Sequence, residues 1–263
     1  MLIPMAGRVS GNSPTLQAVI DQMSSAPTEA RARIYDDKII RPLIQGGVWS
    51  KLDLFYILAS HHTQAATLNW KAPTTFALTA TGTPTFTTDR GMTYDGSTNY
   101  HDTAYRWETA GLNGALDSHF MAGWSRTSGT TTNGCFGGVQ TTGATTVAAL
   151  NPRNASDNFT SRINDATTFN NANTDGTGFY GASRTASNVK RAFKNGSQIG
   201  ADQTTASTTG ADFSYIIGGV NSGAPGLAAR EIAFAAAGGG LTVAEMATLY
   251  SAVNDYLTAV GAA

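Results

Sequence analysis

Val189-Lys-Arg-Ala-Phe-Lys-Asn-Gly-Ser-Gln-Ile-Gly200 is the stretch on which the fold turns. Val189–Lys194 reads as a short strand that runs directly into Asn195-Gly196. Asn-Gly supplies the positive φ angles of a tight hairpin turn at little cost. The same turn chemistry recurs at Asp95-Gly96, Asn113-Gly114 and Asp175-Gly176. From residue 76 the hydrophobic period is two. The strand candidates are Phe76–Thr81, Thr85–Thr88, Met92–Tyr94, Tyr100–Tyr105, His119–Arg126, Cys135–Val139, Thr146–Leu150, Phe159–Ile163, Gly178–Arg184, Val189–Lys194, Phe213–Val220 and Ala229–Ala235. That many short strands at this spacing predict a two-sheet sandwich or jelly roll.

Composition agrees. The chain has 263 residues, 41% hydrophobic, too apolar for general disorder. Only 13% are charged, about half the usual ~25%, and Thr, Asn, Ser, Gly and Ala fill the gap. The net charge is −1, from 17 Lys and Arg against 18 Asp and Glu. No basic stripe marks a nucleic-acid surface; the cations Arg31, Arg33, Lys38 and Arg41 are interrupted by Asp36 and Asp37. Cys135 is the lone cysteine, so no internal disulfide or zinc set is expected. No apolar run approaches the ~20 residues of a membrane span, and residues 1–11 lack a signal-peptide pattern. A soluble product of a reducing cytoplasm is expected.

Before residue 70 the signals are helical. One helix is expected from Ser13 to Ser24 through Pro14, and a second from Pro27 toward Gly46-Gly47, ended early or kinked at Pro42. A third is expected to start at Ser50, with Asp53 three residues on, Trp49 and Leu54 as a hydrophobic staple, and His61-His62 at its end. The chain closes on the clearest helix, 242–260. Thr242 and Glu245 form a capping box, and Met246, Leu249, Tyr250, Val253, Leu257 and Val260 an apolar stripe. The expected division is an extended arm over 1–12, a helical attachment region over 13–70, and a sandwich over 71–263.

The 189–200 segment resembles the strand–Asn-Gly–strand hairpin of laminin-G-like, concanavalin A-like domains. On that resemblance Phe213-Ser-Tyr-Ile-Ile-Gly-Gly219 is the next strand, Arg230-Glu-Ile-Ala-Phe234 a late one, and a closing helix follows. The implied class is mainly β, a concanavalin A-like jelly-roll sandwich with an N-terminal helical region and a C-terminal helix. Gly47-Val-Trp-Ser-Lys-Leu-Asp53, Leu68-Asn-Trp-Lys71, Thr83-Pro-Thr-Phe-Thr-Thr-Asp-Arg-Gly91 and Tyr94-Asp-Gly-Ser-Thr-Asn-Tyr-His-Asp-Thr103 resemble tailed-bacteriophage virion structural proteins of the tail-fibre type. That resemblance implies a virion-surface protein, either a tail-fibre or baseplate receptor-binding module or a capsid decoration protein. Its implied partners are other virion proteins, with self-association left open.

Chemistry-bearing residues are sparse. Jelly-roll hydrolases place two carboxyl groups across a cleft, yet only Glu29, Glu108, Glu231 and Glu245 are present, scattered, and no Gly-x-Ser-x-Gly elbow occurs. No catalytic residue and no cofactor are expected, and the protein is expected not to be an enzyme. Asp95, Asn99 and Asp102 are oxygen-ligand candidates for calcium, although turn formation explains them equally. Asn154-Ala-Ser156, Asn158-Phe-Thr160 and Asn195-Gly-Ser197 match glycosylation sequons by chance. Tyr100, Tyr105 and Trp107 are candidates for stacking on sugar rings, against a reading as buried packing. Leu2, Ile3 and Met5 are the candidates for attachment to the particle, in an arm ordered on a partner. The rival function is a carbohydrate-binding or glycan-cleaving jelly roll acting on host surface polysaccharide.

Overall fold

A computed structural model describes residues 11–107, 109, 111–139, 146–223 and 225–263. The arm candidates Leu2, Ile3 and Met5, and Glu108, lie outside the described residues. The first helix is α1 (Pro14–Ile20), whose Ser13 cap accepts the Leu16 N–H. Next come α2 (Glu29–Tyr35) and α3 (Arg41–Gln45), joined through a π-turn over Asp36–Ile40. At that join the Arg41 N–H donates to the Asp36 carbonyl, five residues back. Pro42, lacking an N–H, thus follows a widened turn rather than ending the helix. Two short helices are α4 (Val48–Lys51) and α5 (Thr63–Thr67), and α6 (Val243–Ala259) closes the chain with its Thr242–Glu245 capping box intact.

The strands, in chain order, are β1 (Leu52–Ile57), β2 (Thr79–Thr81), β3 (Thr85–Thr87), β4 (Gly91–Asp95), β5 (Tyr100–Asp102), β6 (His119–Ser125), β7 (Phe136–Val139), β8 (Thr146–Asn151) and β9 (Asn158–Ile163). They continue as β10 (Phe169–Ala172), β11 (Gly178–Ala186), β12 (Val189–Lys194), β13 (Ser197–Gln203), β14 (Ile216–Ile217), β15 (Gly219–Val220), β16 (Gly226–Leu227) and β17 (Ala229–Gly238). One sheet runs β13-β12-β11-β6-β17-β4-β3, with β1 also paired to β17; a second runs β10-β9-β8-β7-β14-β5-β2. Every described pairing in these two sheets is antiparallel, which gives a jelly-roll-like β-sandwich with a C-terminal helix. At the deciding hairpin Asn195 (φ 48°) and Gly196 (φ 76°) make the turn, and a Cβ on Gly196 would stand 2.6 Å from the Tyr250 ring.

The first sheet is buried on both faces, and alternation along its strands shows how. Ile232, Ala235 and Ala237 of β17 face the core between the sheets, together with Met121, Tyr180 and Phe159. Phe234 and Ala236 join the other core with Phe120, Trp124 and Phe179, covered by Leu16, Tyr35, Leu43, Leu249 and Leu257 of the helices. The layers are therefore helices, sheet, sheet.

Segment 50–58 departs from the expected third helix. Leu52–Ile57 is a strand with six consecutive buried residues, paired to β17 from Leu52↔Gly238 to Ile57↔Phe234. A strand covered on both faces carries an uninterrupted apolar run, which by itself does not distinguish it from a buried helix. Asp53 does not sit in a helix cap. Its carboxylate accepts from the Asn113 N–H (2.8 Å), the Gly114 N–H (2.8 Å) and the Tyr105 hydroxyl (3.2 Å). Residues 13–70 are accordingly continuous with the sandwich core, with no structural break at 70/71. The expected Phe213–Val220 strand is divided by Gly218 at φ 95°, and β10 and β16 had no signal.

Candidate functional site

The outer face of the second sheet carries a cleft of about 430 Å³ over β8, β9 and β10. Its position follows from strand alternation. Leu150, Phe159, Ile163 and Phe169 point into the core between the sheets, so the residues between them on these strands face away. Cross-strand register then sets Asn151 opposite Thr160, and Thr160 opposite Asn170, in one row. Arg162 lies in the adjacent row, opposite Ala149. The Thr132–Gly134 segment and Asn154 complete the wall. Gly134 must be glycine, because a Cβ there would meet Val220 Cγ2 at 2.8 Å and the Leu150 carbonyl at 3.0 Å.

Two sets of contacts hold the rim. Asn151 Nδ2 donates to the Thr131 carbonyl at 2.9 Å, and Thr131 Oγ1 lies 2.9 Å from the Asn133 carbonyl. The buried Arg230 guanidinium donates to the carbonyls of Thr127 (2.7 Å), Gly129 (2.9 Å) and Arg153 (3.2 Å). Beneath the cleft, Asp165 in the β9–β10 turn pairs with Arg184 of β11 and, at 2.7 Å, with Lys190 of β12. All three are essentially inaccessible, so this cluster clasps one sheet to the other.

Several polar groups are left over in the cleft. The side chains of Thr160, Arg162 and Asn170 form no hydrogen bond to a described residue, and Arg162 Nε is buried without a partner. Burial pushes the Arg162 pKa down, opposed by the charge of Asp165. No carboxylate and no aromatic ring is among the described lining residues. A floor of hydroxyls and amides with one guanidinium offers hydrogen bonds in both senses. None of these residues was singled out by sequence reasoning except through the sequons Asn154-Ala-Ser156 and Asn158-Phe-Thr160. The usable signal was polar residues alternating with Phe159 and Ile163.

The expected site residues lie elsewhere. Asp95 accepts from the Thr98 hydroxyl and from the N–H groups of Thr98 and Ser97, both at 2.8 Å, which together hold its pKa far below the usual carboxylate range. Asn99 Oδ1 accepts the Asp95 N–H in the same turn. Asp102 instead accepts from Ala104 N–H (2.7 Å) and Ser214 Oγ (2.9 Å). The three are turn and strand-end anchors, and among the described residues no group of three or more His, Cys, Asp or Glu is placed to hold a metal ion. Tyr105 is a core residue, with its ring 5.3 Å from that of Tyr215, and it presents no stacking face. Trp107 is half-buried with its indole against Gly210, and Tyr100 is half-buried on β5. These three residues form no aromatic platform. His61 bridges the Tyr35 hydroxyl and the Ser25 carbonyl, both at 2.9 Å, and ends no helix. No helix of the described residues is long and apolar enough to cross a membrane.

No protein-family profile matches the chain, and no curated protein sequence does. Solved structures do. A Trypanosoma rangeli sialidase mutant displaying trans-sialidase activity superposes with a TM-score of 0.61 at 12% identity, covering 87% of this chain and 39% of that one. The shared fold is a β-sandwich. The same sialidase in complex with sialic acid gives 0.54 at 12% identity over 85% and 39%. Its covalent intermediate with difluorosialic acid gives 0.55 at 14% over 85% and 38%. This chain spans about two fifths of the sialidase chains. The likeness corrects the expectation that the protein is not an enzyme, because the same fold occurs within sialidase chains.

Proposed function

We propose that this chain is a carbohydrate-binding jelly roll that takes glycan in the cleft over β8–β10. The observation that carries the reading is the lining: Asn133, Asn154, Thr160 and Asn170 present amides and hydroxyls around about 430 Å³. That volume falls in the ligand-site range, but such sites for drug-like molecules are mainly apolar. A polar lining suits a polyol whose hydroxyls both donate and accept. The reading is supported by the fold neighbours, which are sialidases, one of them in complex with sialic acid.

A glycan array probed with the whole chain, alongside Thr160→Ala and Asn170→Ala, tests the reading. Binding that both substitutions weaken while the fold persists supports it; an array without hits overturns it. A reducing-end assay on the bound glycans extends the reading to cleavage if product is released. The setting implied by the sequence resemblance, a virion surface meeting host polysaccharide, is a proposal of its own. Detection of the chain in purified phage particles tests that setting.

A further inference from the structure

We infer that the glycan taken by this cleft carries an anionic group, and that Arg162 is the residue that receives it. The inference rests on the carbohydrate-binding reading and adds a ligand class to the same site. Three observations converge. Arg162 lines the cleft, and its guanidinium makes no hydrogen bond to a described residue, with Nε buried and unsatisfied. Buried polar atoms are normally paired, so a half-buried cation left open calls for an acceptor that is not part of the chain. The described lining holds no carboxylate to compete for it.

The surrounding charge points the same way. The acid whose charge acts on Arg162, Asp165, is already committed to Arg184, Lys190 and the Thr167 N–H at 2.6 Å. Arg162, Arg184 and Lys190 are thus three cations against Asp165, with Asp117 acting on Arg184 as a second carboxylate, within a chain whose net charge is −1. A local positive excess beside an open polar cleft favours an anion. Register supplies the room: the residue opposite Arg162 on β8 is Ala149, a small side chain that also lines the cleft. Bidentate acceptance by a carboxylate or sulfate is the interaction such a fork is shaped for.

The test is calorimetric titration of the full chain at physiological salt with oligogalacturonate, oligomeric dextran sulfate and neutral dextran. One anionic probe is expected to bind at least tenfold more tightly than dextran. Arg162→Gln is expected to remove about tenfold to a hundredfold of that affinity, the worth of a charge-assisted pair, and to weaken dextran binding by a clearly smaller factor. Arg162→Lys keeps the charge without the fork and should recover only part. Preference between the two anionic probes separates a uronate-type carboxylate from a sulfate ester. Equal binding of charged and neutral probes, or anion binding that Arg162→Gln leaves intact, overturns the inference while the carbohydrate reading stands. Failure to bind these probes, with a glycan array that is also blank, overturns both.

Discussion

Arg230 Nη2 donates to the carbonyl oxygen of Arg153 at 3.2 Å, so a buried side chain of β17 in one sheet holds a turn that belongs to the other. The same guanidinium reaches Thr127, Gly129 and the Ser125 hydroxyl, with no carboxylate beside it. A cation solvated by carbonyls in this way fixes the loop before Thr132–Gly134, the wall of the cleft. Burial pushes the Arg230 pKa down without discharging it.

Arg230→Met is expected to destabilise the protein by about 2–4 kcal/mol, because several buried carbonyls lose their donor. Glycan affinity should fall with it, since Asn133 and Asn154 hang from the same clasp. The urea midpoint and a binding titration check this pair of effects. An unchanged midpoint would mean that water replaces the guanidinium without loss.

Arg162→Gln should behave in the opposite way. Its guanidinium is desolvated and satisfies nothing within the described chain. Removing it also relieves repulsion on Lys190. Stability is expected to stay level or rise by no more than about 1 kcal/mol, a gain limited by solvent screening of a half-exposed group. A urea midpoint that drops by more than this would show that Arg162 is structural, with no role reserved for a ligand.

That contrast also shows what was legible from sequence. Asn195-Gly196 and the two-residue period yielded the sandwich because turn chemistry and alternation are local. Thr242 and Glu245 yielded the closing helix for the same reason, and its stripe of Met246, Leu249, Val253 and Leu257 is buried. Leu52–Ile57 was misread because burial on both faces erases the alternation that separates strand from helix. The cleft stayed hidden because Asn151, Thr160 and Asn170 become neighbours only through register between three strands. The candidates drawn from residue type, Tyr105 and Asp102, turned out to be satisfied within the chain. Residue type flags polarity; only pairing shows which polar groups are left open.

Acid sensitivity follows from two buried histidines. Burial holds His101 and His119 down at about 4; for His119 the bond to Asn164 offsets part of this. An unfolded histidine titrates near 6.5. Between roughly pH 6.5 and 4 the unfolded chain therefore binds more protons than the folded one, and stability falls as pH falls. Each group contributes on the order of 3 kcal/mol across that window. Urea midpoints from pH 8 to 4.5 should be level above 7 and decline below 6.5. A midpoint that holds constant down to pH 4.5 contradicts the assignment of neutral, buried imidazoles.

Asp165→Asn tests the clasp beneath the cleft. The Asp165 carboxylate accepts from Arg184, from Lys190 at 2.7 Å and from the Thr167 N–H at 2.6 Å, and it is 1% exposed. Asparagine keeps the shape but removes the carboxylate paired with both buried cations, leaving Arg184 only the more remote charge of Asp117, a loss of about 3–5 kcal/mol where one partner of a buried pair is removed. Burial already lowers the Lys190 pKa, with Asp165 as the opposing influence. Without Asp165 the folded-state pKa of Lys190 moves further below its unfolded value near 10.4. Raising the pH from 7 to 9.5 then discharges Lys190 preferentially in the folded state, so stability should recover with pH, more in the variant than in the natural chain. Denaturation at the two pH values reads this directly. A variant as stable as the natural chain at pH 7, or one that weakens further at pH 9.5, would show that solvent already reaches the cluster, and that the β9–β10 turn and the Arg162 beside it are held by packing alone.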